Sequence, residues 1–193
     1  MEILSPIFGP IEVRNDTCGF GHFMSSRGGR LHRGLDVLAD RPGQPGLALS
    51  SGTVIIDNGR PSTTAPDLRY VEVRHDSGAF HWRLFYVDPL VMAGQAVTPN
   101  TVIGYLQDSP AAYDLPAMKH HFHIELLIPR AVSSSGQAMS MVRIDPRPFL
   151  VKRELNPDLD FAYNPAYDTP ESDQRTLKRA FNILEKLLTG GKS

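Results

Sequence analysis

The chain has 193 residues, 20 Lys and Arg against 21 Asp and Glu, a formal net charge of -1 and 41% hydrophobic residues. That balance is the one of an ordinary globular protein: it argues against disorder and gives no general support for nucleic acid or an anionic membrane as partner. Cys18 is the only cysteine, so an intrachain disulfide and a cysteine-rich structural zinc site are both ruled out.

The amino terminus, Met1 to Pro10, lacks a basic start and an uninterrupted apolar stretch, and no later segment has the length to span a bilayer. Neither an ordinary secretion signal nor a membrane span is therefore expected. Residues 1–18 read as an extended segment punctuated by Pro6, Gly9 and Pro10, ahead of a domain over 19–152. Within Gly28 to Leu38, His32 and Asp36 are separated by a spacer containing Gly34. An imidazole and a carboxylate are ordinary zinc ligands. Arg27, Arg30 and Arg33 form a local basic run around them; it reads as a solvated loop, with a role in holding an acidic substrate as the alternative.

From Leu47 the pattern is one of short strands: 47–56, 68–74, 80–87 and 102–106, divided by Asp57-Asn58-Gly59, Asp76-Ser77-Gly78 and Thr98-Pro99-Asn100. No helical spacing separates them, which favours antiparallel pairing, and Asp76-Ser77-Gly78 predicts a β-hairpin. Strict alternation over 81–88 places His81, Arg83 and Phe85 on one face and Trp82, Leu84, Tyr86 and Asp88 on the other.

Lys119 to Leu127 holds three of the seven histidines. Phe122, Ile124 and Leu126 alternate with His121, His123 and Glu125, the period of a half-buried strand, so His121 and His123 point the same way. Two such imidazoles could share a metal, or one could bind it while the other handles a proton; a pair of surface histidines is the plain alternative. With His32 and Asp36, one strand histidine would complete three protein ligands and leave a fourth position for water, as hydrolytic zinc sites require. Beyond the strand, Ser133 to Gln137 is a polar loop, and Ile144 to Leu150 closes the domain. Residues 153–193 read as a connector and an amphipathic helix in which Leu177, Ala180, Phe181, Leu184, Leu187 and Leu188 recur at helical spacing. That helix packs on its own domain, or docks to a protein partner or a second copy of itself.

Gly-Arg-Leu-His-Arg-Gly-Leu-Asp followed about ninety residues on by His-Phe-His-Ile-Glu-Leu resembles the lysostaphin/LytM-type zinc peptidases. The resemblance covers roughly residues 19–150 and implies a compact, mainly β, antiparallel domain, a single Zn²⁺ held by His32, Asp36 and His123, and hydrolysis of peptide cross-links or stems of bacterial peptidoglycan. It also implies that His121 acts in catalysis. Members of the family usually carry a second catalytic histidine in a Tyr-x-His-Leu segment; here the matching residues are Tyr86-Val87-Asp88-Pro89, so Asp88 takes that place. An ionised carboxylate can accept a proton or orient His121, but it cannot donate a hydrogen bond to an oxyanion. Two functional readings result: an active zinc peptidase, or a catalytically weakened or inactive module that keeps zinc and binds a wall fragment, even as a structural part of a phage tail or other delivery device. A wall substrate further implies action outside the cytoplasm, by a virion, by lysis, by a dedicated export apparatus, or through a leader outside this sequence.

Overall fold

We describe residues 1–132 and 138–154 of a computed structural model of the chain. The polar loop at 133–137 and the expected carboxy-terminal helix lie outside the described residues. Among those residues no helix is long and apolar enough to cross a membrane.

The molecule is mainly β and its main sheet is antiparallel, as expected. Strands β1 (Ile3–Phe8), β2 (Asn15–Asp16), β3 (Gly19–Phe20) and β4 (Leu35–Leu38) precede β5 (Pro45–Leu47), β6 (Gly52–Gly59), β7 (Tyr70–His75) and β8 (His81–Phe85). They are followed by β9 (Val87–Pro89), β10 (Ala96–Val97), β11 (Val102–Leu106), a short helix α1 (Ser109–Ala112), β12 (His121–Val132), β13 (Ala138–Ile144) and β14 (Leu150–Arg153). The main sheet runs β10-β6-β7-β8-β12-β13, with β4 also paired to β12. β12 is its pivot: β8 takes one edge, while the other is shared by β4 opposite His121 to Ile124 and β13 opposite Leu126 to Val132.

Strand alternation builds the core. Val71, Val73, Trp82, Leu84, Phe122, Ile124 and Leu126 are all fully buried on one face of this sheet. Residues directly opposite one another share a face. The other face therefore carries Tyr70 and His123 flanking Phe85, Glu72 and Glu125 flanking Arg83, and Arg74 and Leu127 flanking His81.

The expected hairpin forms at Asp76-Ser77-Gly78, where Gly78 has φ 68 and donates its N–H to the His75 carbonyl at 2.8 Å. Two expected strands are each divided. The segment 47–56 breaks between β5 and β6, and 80–87 breaks at Tyr86, whose φ of 62 is left-handed for a non-glycine residue. This second break corrects the face assignment. Trp82 and Leu84 do lie together, but in the core, so His81 shares the face of His123. It stands four positions along β12, opposite Leu127, or roughly 13 Å away. Asp88 lies past the break, on β9 of a separate three-stranded sheet, opposite Tyr105 of β11.

Residues 1–18 are packed into the domain. Ile3 and Ile7 belong to the core, and β1 pairs in parallel with β14. Arg153, which is buried, fastens that corner by donating to the carbonyls of Ser5 (3.0 Å), Ala48 (2.7 Å) and Pro99 (2.7 Å). Burial draws its pKa down to about 10.

Candidate metal centre

The site forms where β4 lies against β12. Asp36 is directly opposite His123, so pleating alone turns the two side chains to the same side. His32 arrives from the loop before β4, four residues ahead of Asp36. Gly34 is the reason the spacer is tight: a Cβ there would stand 2.1 Å from the Ile124 carbonyl and 2.7 Å from the His123 ring. Only a residue without a side chain lets the loop come this close to the histidine strand.

His32 Nε2, Asp36 Oδ1 and His123 Nδ1 form a triangle with sides of 3.0, 2.7 and 2.9 Å. All three residues are buried. A tetrahedral zinc with bonds of 2.0–2.1 Å sets its ligand atoms about 3.3 Å apart, so the triangle would open by only a few tenths of an ångström. The donor set fits as well. His32 Nδ1 lies 2.9 Å from the His22 carbonyl, which can only accept; the proton is therefore on Nδ1 and the lone pair of Nε2 faces the triangle. On the far side of His123, Nε2 is 3.9 Å from Glu125 Oε1, a carboxylate placed to orient that imidazole. Among the described residues, His32, Asp36 and His123 are the group able to hold a metal.

Two guanidinium groups hold the outer oxygen of Asp36. Arg14 Nε and Arg27 Nη2 lie 3.0 and 3.1 Å from Oδ2, leaving Oδ1 to the imidazoles. Burial alone would raise the Asp36 pKa. The facing histidines, His121 foremost among them, hold it well below the usual carboxylate range. For His123 burial opposes charge, but the hydrogen bond to Asp36 and the nearby Glu125 carboxylate outweigh it and raise the pKa.

His121 stands beside the triangle with Nε2 3.8 Å from Asp36 Oδ2. Its Nδ1 donates to the Lys119 carbonyl at 2.7 Å, which leaves Nε2 as the bare nitrogen. Burial pulls its pKa down to about 4, so at neutral pH it is an uncharged acceptor. The Tyr86 ring packs edge-on against His121, centroids 5.3 Å apart, and lies 6.3 Å from His123. The left-handed backbone at Tyr86 thus swings an aromatic wall over the histidine pair.

No family model and no curated protein sequence matches the chain. Solved structures do. The catalytic domain of the prophage-encoded M23 protein EnpA from Enterococcus faecalis aligns at 18% identity over 74% of this chain and 95% of its own, with a TM-score of 0.50. LytU aligns at 20% identity over 74% and 86%, again with a TM-score of 0.50. The chain has the lysostaphin/LytM-type fold. In the solution structure of lysostaphin the same fold matches at 19% identity and a TM-score of 0.50, over 78% of this chain and 59% of the lysostaphin chain. The chain thus spans less than two thirds of that protein.

Of the other residues singled out by sequence, Asp88 is half-buried on β9 and is not part of the metal-competent triangle. His22 is exposed and contributes its carbonyl to His32. The basic run divides: Arg30 and Arg33 are exposed, while Arg27 turns inward to Asp36, which the reading of a solvated loop did not anticipate. Arg14 was missed altogether. Its one sequence signal is a charged residue set between Val13 and Asn15 in a strand-like segment, with Asp16 two positions on and so on the same side.

Proposed function

We propose that the protein is a zinc-dependent metalloendopeptidase that hydrolyses peptide cross-links or stems of bacterial peptidoglycan, acting outside the cytoplasm. The observation that carries this reading is the buried triangle of His32 Nε2, Asp36 Oδ1 and His123 Nδ1 with the bare Nε2 of His121 beside it. Three protein ligands with an adjoining neutral base are what amide hydrolysis at a zinc centre needs; a structural site would close with a fourth ligand. The wall substrate rests on the likeness of fold and motifs.

Zinc bound there supplies Lewis acidity, polarising an amide carbonyl and making water easier to deprotonate. The chain supplies the rest. His121 Nε2 takes a proton from the attacking water, since its Nδ1 is committed to the Lys119 carbonyl. Tyr86 covers one side of that histidine and limits access of bulk water. In sequence Asp88 matches the usual second histidine; an ionised carboxylate accepts a proton but cannot donate, which leaves the oxyanion one donor short. The lost donor would slow turnover by about 10² to 10³ unless another group replaces it.

Digestion of purified peptidoglycan with and without a chelator, read by mass spectrometry, tests the proposal. New amine ends that vanish with chelator are expected. Retained zinc with no new amine ends on any wall type would replace hydrolysis by binding, the reading that Asp88 motivates. Asp88→His should then raise turnover if the missing donor is what limits the wild-type protein.

A further inference from the structure

We propose that Asp16 is a positioning residue that couples the metal-ligating carboxylate to the neighbouring base: through Arg14 it fixes which oxygen of Asp36 faces the imidazoles, and through the Lys119 peptide it fixes which nitrogen of His121 is bare. The names of those roles rest on the proposed function; the coupling itself is geometric.

Asp16 sits in the β2–β3 hairpin and its side chain is 4% exposed, beside an Arg14 side chain that is 3% exposed. Its carboxylate is saturated. Arg14 Nη1 reaches both oxygens at 2.7 and 2.9 Å, the Cys18 N–H donates to Oδ1 at 2.9 Å, and the Lys119 N–H donates to Oδ2 at 3.0 Å. An aspartate that served only its own turn would need no more than the Cys18 bond, two residues on. The other two contacts run to the metal centre by separate routes.

The first route is short. Held by Asp16 at its Nη1, the Arg14 guanidinium presents Nε to Asp36 Oδ2 at 3.0 Å. A guanidinium fork is rigid, so fixing one edge aims the other. Asp36 is thereby turned with Oδ1 toward His32 and His123. Gly21 allows this approach, because a Cβ at that position would stand 2.7 Å from the Asp36 Cβ and 3.0 Å from the Arg14 carbonyl.

The second route runs through a backbone. Lys119 donates its N–H to Asp16, and its own carbonyl accepts from His121 Nδ1 at 2.7 Å. The Lys119 residue is pinned at one end so that its other end can set the tautomer two residues later. One carboxylate, 103 residues from Lys119 in sequence, thus orders both the ligand and the base. Burial opposes ionisation of Asp16, yet the Lys119 N–H and the Arg14 guanidinium outweigh it and lower its pKa, so the carboxylate that makes these contacts is charged.

The test uses the full chain and two readouts independent of peptide cleavage: zinc affinity by competition with a chromophoric chelator, and the His121 tautomer by long-range proton–nitrogen correlation in metal-free protein. Asp16→Ala should weaken zinc binding about tenfold to a hundredfold and convert His121 from a single Nδ1–H form to a mixture. Arg14→Lys, which keeps the charge and loses the fork, should weaken zinc binding and leave the tautomer intact. A folded Asp16→Ala with wild-type zinc affinity and a single tautomer overturns the proposal. Should Asp16→Ala not fold, Asp16→Asn decides: it retains an acceptor for Lys119 but not the Arg14 pair, so zinc affinity within twofold of wild type overturns the coupling and a tenfold loss supports it. Were the wild-type chain to take no zinc, the zinc-peptidase reading would fail, and the tautomer in Asp16→Ala would still decide the coupling.

Discussion

Two buried carboxylates flank His123, and their surroundings differ in one respect. Asp36 has its outer oxygen occupied by Arg14 and Arg27, while Oδ1 is left to His32 and His123. Glu125 has a cation beside each oxygen: Arg83 donates to Oε2 at 3.1 Å and Arg143 Nε lies 2.9 Å from Oε1. Arg83 also reaches Glu72 at 2.6 Å, and Glu72 accepts from His81 Nδ1 at 2.8 Å, so this side closes into a network along the open face of the sheet. Burial raises the pKa of both carboxylates and their partners more than offset it, bringing Glu125 to about 2. Charge state therefore does not separate ligand from support. What separates them is how closely an oxygen approaches the imidazoles: Asp36 Oδ1 lies 2.7 Å from His123 and 3.0 Å from His32, whereas Glu125 Oε1 stays 3.9 Å from His123 alone.

The largest effects should fall on the Asp36 side. Asp36→Ala or His32→Ala should remove bound zinc, measured by elemental analysis of purified protein, and cut peptide cleavage by at least about 10³-fold. A variant that kept one zinc per chain would break the contrast outright. His121→Ala should lower cleavage about 10² to 10⁴-fold while zinc content stays at one ion, because its Nε2 lies outside the triangle. Gly34→Ala forces a Cβ against the Ile124 carbonyl and the His123 ring. It should cost about 1–3 kcal/mol in urea unfolding and weaken zinc binding in the same samples. On the other side, Glu125→Gln should keep the metal and weaken its affinity about tenfold, read by chelator competition; full loss of zinc would move Glu125 into the ligand set.

The smallest effect concerns pH. Glu72 is held below its ordinary value near 4.5, because His81 and Arg83 outweigh the cost of its burial. A carboxylate whose folded pKa is depressed contributes stability that is full above the unfolded value and lost as pH falls through the folded one. In chelator-treated protein the urea midpoint should therefore drop between pH 6 and pH 3, and Glu72→Gln should flatten that drop. An unchanged slope would show that the network along the sheet adds nothing to the fold.

Much of this was legible in the chain itself. Alternation over His121 to Leu126 gave the pivot strand, Asp76-Ser77-Gly78 gave the hairpin, and the two separated motifs brought His32, Asp36 and His123 to one point. Local patterns failed where the backbone left its regular region. Nothing in Phe85-Tyr86-Val87 signals a left-handed tyrosine, so counting faces through it set Asp88 on the face of Trp82 and Leu84, whereas it lies on β9 of a separate sheet. Short-range periodicity is likewise blind to partners fixed by tertiary approach. Arg14 meets Asp36 22 residues away, and Asp16 meets Lys119 103 residues away. The four-residue α1 was also missed, being too short to display a helical period; it is capped by the Asp108 side chain and carries Pro110 as its second residue.

The pairing of β1 with β14 has a mechanical consequence. The two strands run parallel, so pulling Ile3 and Arg153 in opposite directions draws one strand lengthwise past the other. Their ladder bonds then share the load together, where a hairpin pulled from its open end gives way one bond at a time. Arg153 adds a bolt across the same seam through the Ser5 carbonyl and ties it to the rest of the domain through those of Ala48 and Pro99. The domain thus meets a pull along this axis in shear at the β1–β14 seam.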